Sequence, residues 1–368
     1  MNGGPIVRLL ICAGGTGGGV YPALAVLQAL TGNVEVLWVG AQGGMESTLV
    51  QRAGIPFETI PAAGLHGVGL KRLPRNLALL LRGIIASRRI ISSFKPDAIL
   101  FTGGYIAFPM AVAARGIPTL LYVPDIEPGL ALKIIARYAS CIAVSAAESR
   151  DYFTKKEKVF VSGYPTRPEL ANWNQASARK QFNLLDNVPV LLIFGGSKGA
   201  RSINYAVLDH LPDLLNIAQV IHISGELDWP VVDAKRKELT GEQSARYHAF
   251  PYLHEEMGAA LASADLVISR SGASTLGEFP LHALAAILVP YPYAWRYQNV
   301  NAQHLASRGA AVVLEDSQLE SQLVATIQRL LENPIQLKAM RTAMQSLSHP
   351  QAAALIGQRL FSLARERR

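Results

Sequence analysis

The sequence predicts an α/β protein of two similar halves, each a parallel sheet with helices on both faces. Three observations lead there. Short apolar runs alternate with amphipathic ones almost from end to end, the pattern of strands joined by helical crossovers. A strand, a glycine loop and a helix start at 6–30, and the same succession returns at 190–204. The length, 368 residues, exceeds what one core of about 150 residues usually organises.

The opening stretch sets the pattern. The apolar run Ile6, Val7, Leu9, Leu10, Ile11 stops at Gly14-Gly15-Thr16-Gly17-Gly18-Gly19, and a helix is expected from Pro22. Glycines let backbone N–H groups approach a ligand, and a helix start favours negative charge, so phosphate suits this loop. No P-loop lysine follows, strict G-x-G-x-x-G is absent, and the next strand ends in Trp38-Val39-Gly40 without an acid. The alternative is a tight strand-to-helix turn without a ligand. Further strands are expected at 34–40, 57–60, 98–101, 119–123 and 141–145, with helices at 45–53, 74–94, 109–115 and 130–138. Ligands of parallel sheets sit beyond the carboxyl ends of the strands. The loops there are Gly64-Leu65-His66-Gly67, Thr102-Gly103-Gly104-Tyr105 and Pro124-Asp125-Ile126-Glu127-Pro128-Gly129. His66 is read as a surface histidine before it is read as a base.

Around 162–168 two prolines and a glycine interrupt the alternation, as a linker does. The domains expected are 1–163, 164–345, and a C-terminal helix at 346–368 for which a return to the first domain is open. In the second half, strands are expected at 190–194, 220–224, 247–250, 266–269, 286–290 and 311–314.

Composition narrows the function classes. Half the residues are hydrophobic and 17% are charged, which excludes disorder. Cys12 and Cys141 lie in apolar runs and read as buried thiols of a reducing compartment. No signal-peptide pattern opens the chain, and no apolar run approaches the roughly 18 residues of a membrane span, so a soluble or peripheral protein is expected. The net charge of +8 suits nucleic acid, anionic lipid or phosphorylated substrates. Lys71, Arg72, Arg75, Arg82, Arg88, Arg89 and Lys95 share one stretch with many aliphatic residues, one aromatic (Phe94) and no acid. Nucleic-acid readers interleave aromatics, so a membrane-surface helix fits better. A core helix with a solvated basic face is the competing explanation.

Polar groups concentrate in three places of the second half. Ser197, Lys198 and Arg201 open a helix and suit a diphosphate. In Arg270-Ser271-Gly272-Ala273-Ser274-Thr275-Leu276-Gly277-Glu278, small residues permit close approach and Glu278 can accept two ribose hydroxyls. Gln298 follows the aromatic segment 291–295, where amides and rings suit a sugar. Singly, Ser274 or Thr275 could be a helix cap and Glu278 a dipole partner. Together they favour a nucleotide-sugar site.

These motifs, with Gly14-Gly15-Thr16-Gly17-Gly18, Thr102-Gly103-Gly104-Tyr105, the 163–167 turn and Gly195-Gly196-Ser197-x-Gly199-Ala200-Arg201, occur in an order and spacing that resembles the GT-B glycosyltransferases of family 28, from about Val7 onward. Within that family the similarity is to the N-acetylglucosaminyltransferases of peptidoglycan synthesis. The resemblance implies two Rossmann-like domains facing across a cleft. It also implies inverting transfer of N-acetylglucosamine from UDP-N-acetylglucosamine to the C4 hydroxyl of lipid I, undecaprenyl-diphospho-N-acetylmuramyl-pentapeptide, giving lipid II. The implied place is the cytoplasmic face of the cell membrane, held peripherally on anionic lipid, with cell-wall synthesis proteins as further partners and no nucleic acid. Donor contacts carried over are Thr16, Gly17, Gly18, Arg167, Ser197, Ala273, Ser274, Thr275, Leu276, Gly277, Glu278 and Gln298, and acceptor contacts are Gly103, Gly104 and Tyr105. No cofactor or metal is expected, and the eight histidines show no H-x-x-x-H spacing.

Two departures from the family pattern bear on catalysis. The family's glycine loop ends in His where this chain has Gly19, and the family's Asn before Pro-Gly is Asp125 here. Inverting transfer needs a group to take the acceptor's proton. Asp125 is the candidate base, with Glu127 second; the alternative is that Asp125 caps a helix starting near Pro128. Three other functions compete: transfer to another lipid acceptor, UDP-sugar epimerisation, or a non-catalytic UDP-sugar-binding scaffold of the cell-wall machinery.

Overall fold

The computed structural model describes residues 6–14, 17–42, 46–63, 73–196, 198–293 and 296–367. The chain divides into two compact units, Met1–Arg167 with Pro350–Arg368, and Pro168–His349.

The first unit carries a seven-stranded parallel sheet. Its strands are β1 (Val7–Ala13), β2 (Val34–Ala41), β3 (Phe57–Ile60), β4 (Ala98–Gly103), β5 (Thr119–Val123), β6 (Cys141–Val144) and β7 (Val159–Val161). The order is β3-β2-β1-β4-β5-β6-β7, with Leu10 of β1 aligned to Leu37 on one side and Ile99 on the other. The central strands are buried on both faces, so they read as continuous apolar runs instead of alternating ones. Leu10, Val39, Phe101, Met110 and Leu121 belong to the core on one side of the sheet. Both cysteines are free and buried, and burial pushes the Cys141 thiol up to about 11.

The helix after the first glycine loop spans Gly17–Gln28, so it begins before Pro22 and contains that proline. Glycine is a poor helix former, which is why the sequence points to a later start. Here the close packing of Gly19, whose added Cβ would stand 3.3 Å from the Thr102 carbonyl, overrides propensity.

The chain stays with the first unit as far as Arg167 because Tyr164 meets the Tyr122 ring edge-on at 6.3 Å and the Arg167 guanidinium lies 4.5 Å from the Tyr21 ring. The last helix, Ala352–Glu366, belongs to this unit too. It buries Ile356, Leu360 and Leu363, and its Gly357 sits so close to Leu30 that an added Cβ would stand 2.8 Å from Leu30 Cδ2.

The second unit carries a six-stranded parallel sheet, ordered β10-β9-β8-β11-β12-β13. The strands are β8 (Val190–Phe194), β9 (Gln219–Ile223), β10 (Tyr247–Phe250), β11 (Leu266–Ser269), β12 (Ala285–Leu288) and β13 (Ala311–Val313). Ile193, Leu211, Val220, Ile268, Ile287 and Leu323 share its core.

In each sheet the first strand lies next to one that comes three strands later, β1 beside β4 and β8 beside β11. Loops diverge to opposite faces at such a switch point and leave a crevice at the carboxyl ends. Both glycine loops are at these positions. Among the described residues, no helix is long and apolar enough to cross a membrane and no group of three His, Cys, Asp or Glu is placed to hold a metal ion.

Candidate functional site

In the second unit the loop after β8 lies directly on backbone. Gly199 has φ +76° and an added Cβ would stand 2.2 Å from the Ser224 carbonyl, so only glycine fits. Helix Arg201–Asp209 follows at once, with Arg201 largely exposed. Arg201 Nε donates to Asp228 Oδ1 at 3.2 Å. Asn204 is buried, and its Nδ2 donates to the Ser224 carbonyl and to Asp228 Oδ2, each at 2.8 Å. Both amide hydrogens are then used, so Asn204 Oδ1 accepts from His222 Nε2 at 3.0 Å, and His222 Nδ1 accepts from the Tyr247 hydroxyl at 2.8 Å. Burial lowers the His222 imidazole to about 4, which keeps it in the neutral form this pattern requires. Asn204 thus ties the glycine loop's helix to the ends of β9 and to the loop beyond it.

The segment after β11 supplies the next edge of the crevice. Helix Thr275–Leu281 starts with Ser274 at its N-cap position, and no side-chain cap bond forms there. Thr275 Oγ1 donates to the Gly272 carbonyl at 2.8 Å, closing the turn. Ala273 and Ser274 are half-buried, Thr275, Leu276 and Gly277 are buried, and Glu278 is half-buried in the first helical turn. Ser271 Oγ donates to the Gln298 carbonyl at 2.8 Å, and Asn301 Nδ2 donates to the Ser271 carbonyl at 3.1 Å. Gln298, near the start of helix Tyr297–Ala306, accepts at Oε1 from the Tyr291 N–H at 2.9 Å. The second sheet therefore gathers Lys198, Arg201, the 270–278 segment and Gln298 at the carboxyl ends of β8, β11 and β12. Ser197 and Trp295 lie outside the described residues.

The first unit gathers the other candidates at β1, β4 and β5. Gly104 has φ +85°, and an added Cβ would stand 2.6 Å from the Gly14 carbonyl. Thr102 Oγ1 donates to the Gly19 carbonyl at 2.6 Å, so the β4 end is tied to the first turn of the helix that follows the glycine loop. Gly103 has φ +125°, and Tyr105 beyond it is exposed. Gly17 and Gly18 form the first turn of the helix, while Thr16 and His66 lie outside the described residues.

Under the glycine loop stands Glu46, fully buried, which sequence reasoning missed. Its Oε1 accepts from the Ala41 N–H at 2.7 Å and lies 2.4 Å from where a Cβ on Gly14 would be. The loop 124–129 is fixed by Ser145, whose Oγ donates to the Pro124 carbonyl at 2.7 Å and bonds the Tyr122 hydroxyl at 2.9 Å. Asp125 is half-buried there. Glu127 is buried and ion-paired with Lys133 at 3.5 Å. Helix Leu130–Ile135 has Gly129 at its N-cap position.

Two family models cover most of the chain: the glycosyltransferase family 28 N-terminal domain at 9–144 and the family 28 C-terminal domain at 190–356. The chain belongs to glycosyltransferase family 28. The family 28 assignment is supported by a Roseiflexus relative, 38% identical over 96% of this chain and 94% of its own length. That relative is named UDP-N-acetylglucosamine–N-acetylmuramyl-(pentapeptide) pyrophosphoryl-undecaprenol N-acetylglucosamine transferase. The crystal structure of MurG from Acinetobacter baumannii superposes with a TM-score of 0.75 at 27% identity, covering 97% of this chain and all of that one. A UDP-GlcNAc 2-epimerase from Neisseria meningitidis, bound to UDP-GlcNAc, reaches 0.68 at 14% identity over 97% of this chain and 100% of its own, a likeness of fold alone. The two parallel-sheet α/β units are those of a GT-B family 28 glycosyltransferase, the fold class expected from the sequence.

Proposed function

We propose that this family 28 enzyme transfers N-acetylglucosamine from UDP-N-acetylglucosamine to lipid I, forming lipid II. One observation carries the reading: the 38% identity that runs through nearly the whole of a relative named for that transfer. The second unit's crevice supports it. Lys198, Arg201 and the helix that Arg201 begins offer positive charge to a diphosphate, with Ser197 assigned to the same group. Glu278 takes the ribose, the backbone of 273–277 borders phosphate and sugar, and Gln298 takes the N-acetylglucosamine. Gly103, Gly104 and Tyr105 are assigned to the acceptor. The acceptor's C4 oxygen attacks the sugar's anomeric carbon, the bond to UDP breaks, and Asp125 receives the hydroxyl proton. Asp125 is preferred to Glu127 because the latter is buried in an ion pair. Fixed protein cations offset the charge on departing UDP, and no metal is assigned a part.

The helix Leu73–Phe94 supports peripheral attachment. It buries Leu80, Gly83, Ser87 and Ile90, yet Leu77, Leu81 and Ile85 form a ridge that remains about half exposed among exposed Arg75, Arg82, Arg88 and Arg89. An apolar ridge among cations fits the surface of an anionic leaflet, here assigned as the cytoplasmic one.

The test is labelled UDP-N-acetylglucosamine with a lipid I analogue, in the presence of a chelator. A lipid-linked disaccharide with inverted anomeric configuration is expected. An epimerised sugar formed without acceptor, or UDP binding without any turnover, would replace the reading with the epimerase or the scaffold respectively.

A further inference from the structure

Arg270, the first residue after β11, is 8% exposed, and its guanidinium joins three other segments of the second unit. Nη1 donates to Asp316 Oδ1 at 2.5 Å and to the Val289 and Pro290 carbonyls at 3.2 and 3.4 Å. Nη2 donates to Ser202 Oγ at 2.6 Å, and Ser202 Oγ donates in turn to Asp316 Oδ1 at 2.8 Å. The guanidinium also lies 5.2 Å from the centre of the Tyr291 ring.

Each partner leads to a different part of the crevice. Ser202 is the chain neighbour of Arg201 in the helix that the glycine loop feeds. Val289 and Tyr291 begin the segment that ends at Gln298, and Tyr291 fixes the Gln298 amide through its N–H. Arg270 itself precedes Ser271, which holds the Gln298 carbonyl. Asp316 stands after β13 as the counter-ion. One cation thus sets the separation between the segment assigned to diphosphate and the segment assigned to sugar.

We infer that Arg270, Ser202 and Asp316 form a positioning triad for the donor site, and that Arg270 acts through its neighbours without binding phosphate itself. A buried guanidinium that has lost its water needs its carboxylate and acceptors. Turning it toward a diphosphate would leave Asp316 and two main-chain carbonyls without their donor. Arginine is suited to this post because its rigid planar fork carries donors on separate nitrogens, so it reaches Asp316 and Ser202 from two sides, a geometry that lysine's single nitrogen lacks. The inference rests on the assignment of the second unit's crevice to the UDP-sugar.

The experiment compares Ser202→Ala, Ser202→Thr, Arg270→Lys and the double variant Ser202→Ala/Arg270→Lys with the parent chain. UDP affinity is read by calorimetry, KM for donor and acceptor by kinetics, and melting temperature separately. Ser202→Ala and Arg270→Lys are each expected to weaken UDP binding and raise donor KM by roughly tenfold, with acceptor KM unchanged. Ser202→Thr, which keeps the hydroxyl, restores donor KM. The double variant loses little more than either single one, because both break one network. Loss in Arg270→Lys alone, with Ser202→Ala normal, would make Arg270 a phosphate ligand and end the proposal. Lower melting temperatures with unchanged UDP affinity would reduce the triad to a structural brace and also end it. Failure of the parent chain to bind UDP would instead refute the donor-site assignment.

Discussion

Each unit opens with a strand and a glycine loop at the switch point of its sheet, and the two loops meet chemically opposite surroundings. After β8, the loop carries Lys198 and leads into Arg201, with Arg270 after β11; the acids Asp228 and Asp316 are bonded to Arg201 and Arg270 respectively. After β1, the loop lies on buried Glu46 and touches the β4 loop, next to a β5 loop that carries Asp125 and Glu127. Glycines bring backbone close in both cases, so they do not decide the ligand. The sign of the charge at the neighbouring strand ends does. A cationic edge suits a diphosphate, and an anionic edge suits a hydroxyl that must lose its proton. One architecture used twice can therefore divide a transfer reaction between a unit that stabilises a leaving group and a unit that activates a nucleophile.

The sharpest way to break that contrast is to neutralise the acid. Asp125→Asn keeps the shape and removes the proposed base, so kcat should fall by about 10²–10⁴-fold. UDP affinity, assigned to the other unit, should stay at the parent value. Glu127→Gln should cost far less, because Glu127 is held by Lys133 at 3.5 Å. Steady-state kinetics with a lipid I analogue, alongside calorimetry with UDP, reads both quantities. Normal turnover in Asp125→Asn would remove the anionic half of the comparison.

Acid should separate the units next. Of the eight histidines only His66 precedes Arg167, so the remaining ones fall in the second unit. Burial holds His222 and His282 at about 4, below the ordinary value near 6.5. The unfolded chain therefore binds more protons between those limits, and stability declines as pH falls from about 6.5 to about 4, where the loss is complete. For fully buried His222 the contribution is about 3 kcal/mol. Hydrogen exchange at pH 7.5 and pH 5, corrected for intrinsic rates, should show β9 and β10 opening in acid while β1 and β4 stay protected. Equal loss in the two units would mean that these histidines do not control it.

Much of this was legible in the sequence, for a physical reason. Strands buried on both faces leave unbroken apolar runs, which is why β1, β5, β8 and β11 can be placed within a residue or two. The glycine loops stand out because few other residues stop such runs so abruptly. What escaped was set by contacts remote in sequence. The strand β7 has three residues and follows Lys156-Glu157-Lys158, too short for any periodicity to register. The helix begins at Gly17 because Gly19 packs on Thr102, a contact no local propensity encodes. Glu46 beneath Gly14, and Arg270 bonded to Ser202 and Asp316, follow no spacing rule, since the partners come from different strand ends. The groups assigned to the site were visible as motifs, whereas the groups that hold their segments in place were not.

The smallest expected effect concerns charge at the surface. Helix Leu73–Phe94 contains four arginines and no acid, whereas helix Trp229–Glu238 of the second unit has its cations paired within the helix. There, Arg236 and Lys237 meet Asp233 at 2.6 and 2.7 Å, and Lys235 meets Glu238 at 3.0 Å. A cation near an anionic leaflet contributes about 1 kcal/mol, so Arg88→Gln should lower binding to anionic vesicles roughly fivefold at low salt. Lys235→Gln, in the paired helix, should leave binding unchanged. Raising salt should shrink the Arg88 effect, because screening acts on the charge and spares the ridge of Leu77, Leu81 and Ile85. Flotation that responds equally to both substitutions would show that net charge alone attracts the protein to lipid. A response confined to Arg88 would place the contact on helix Leu73–Phe94, where the ridge of Leu77, Leu81 and Ile85 shares an exposed face with cations and no acid.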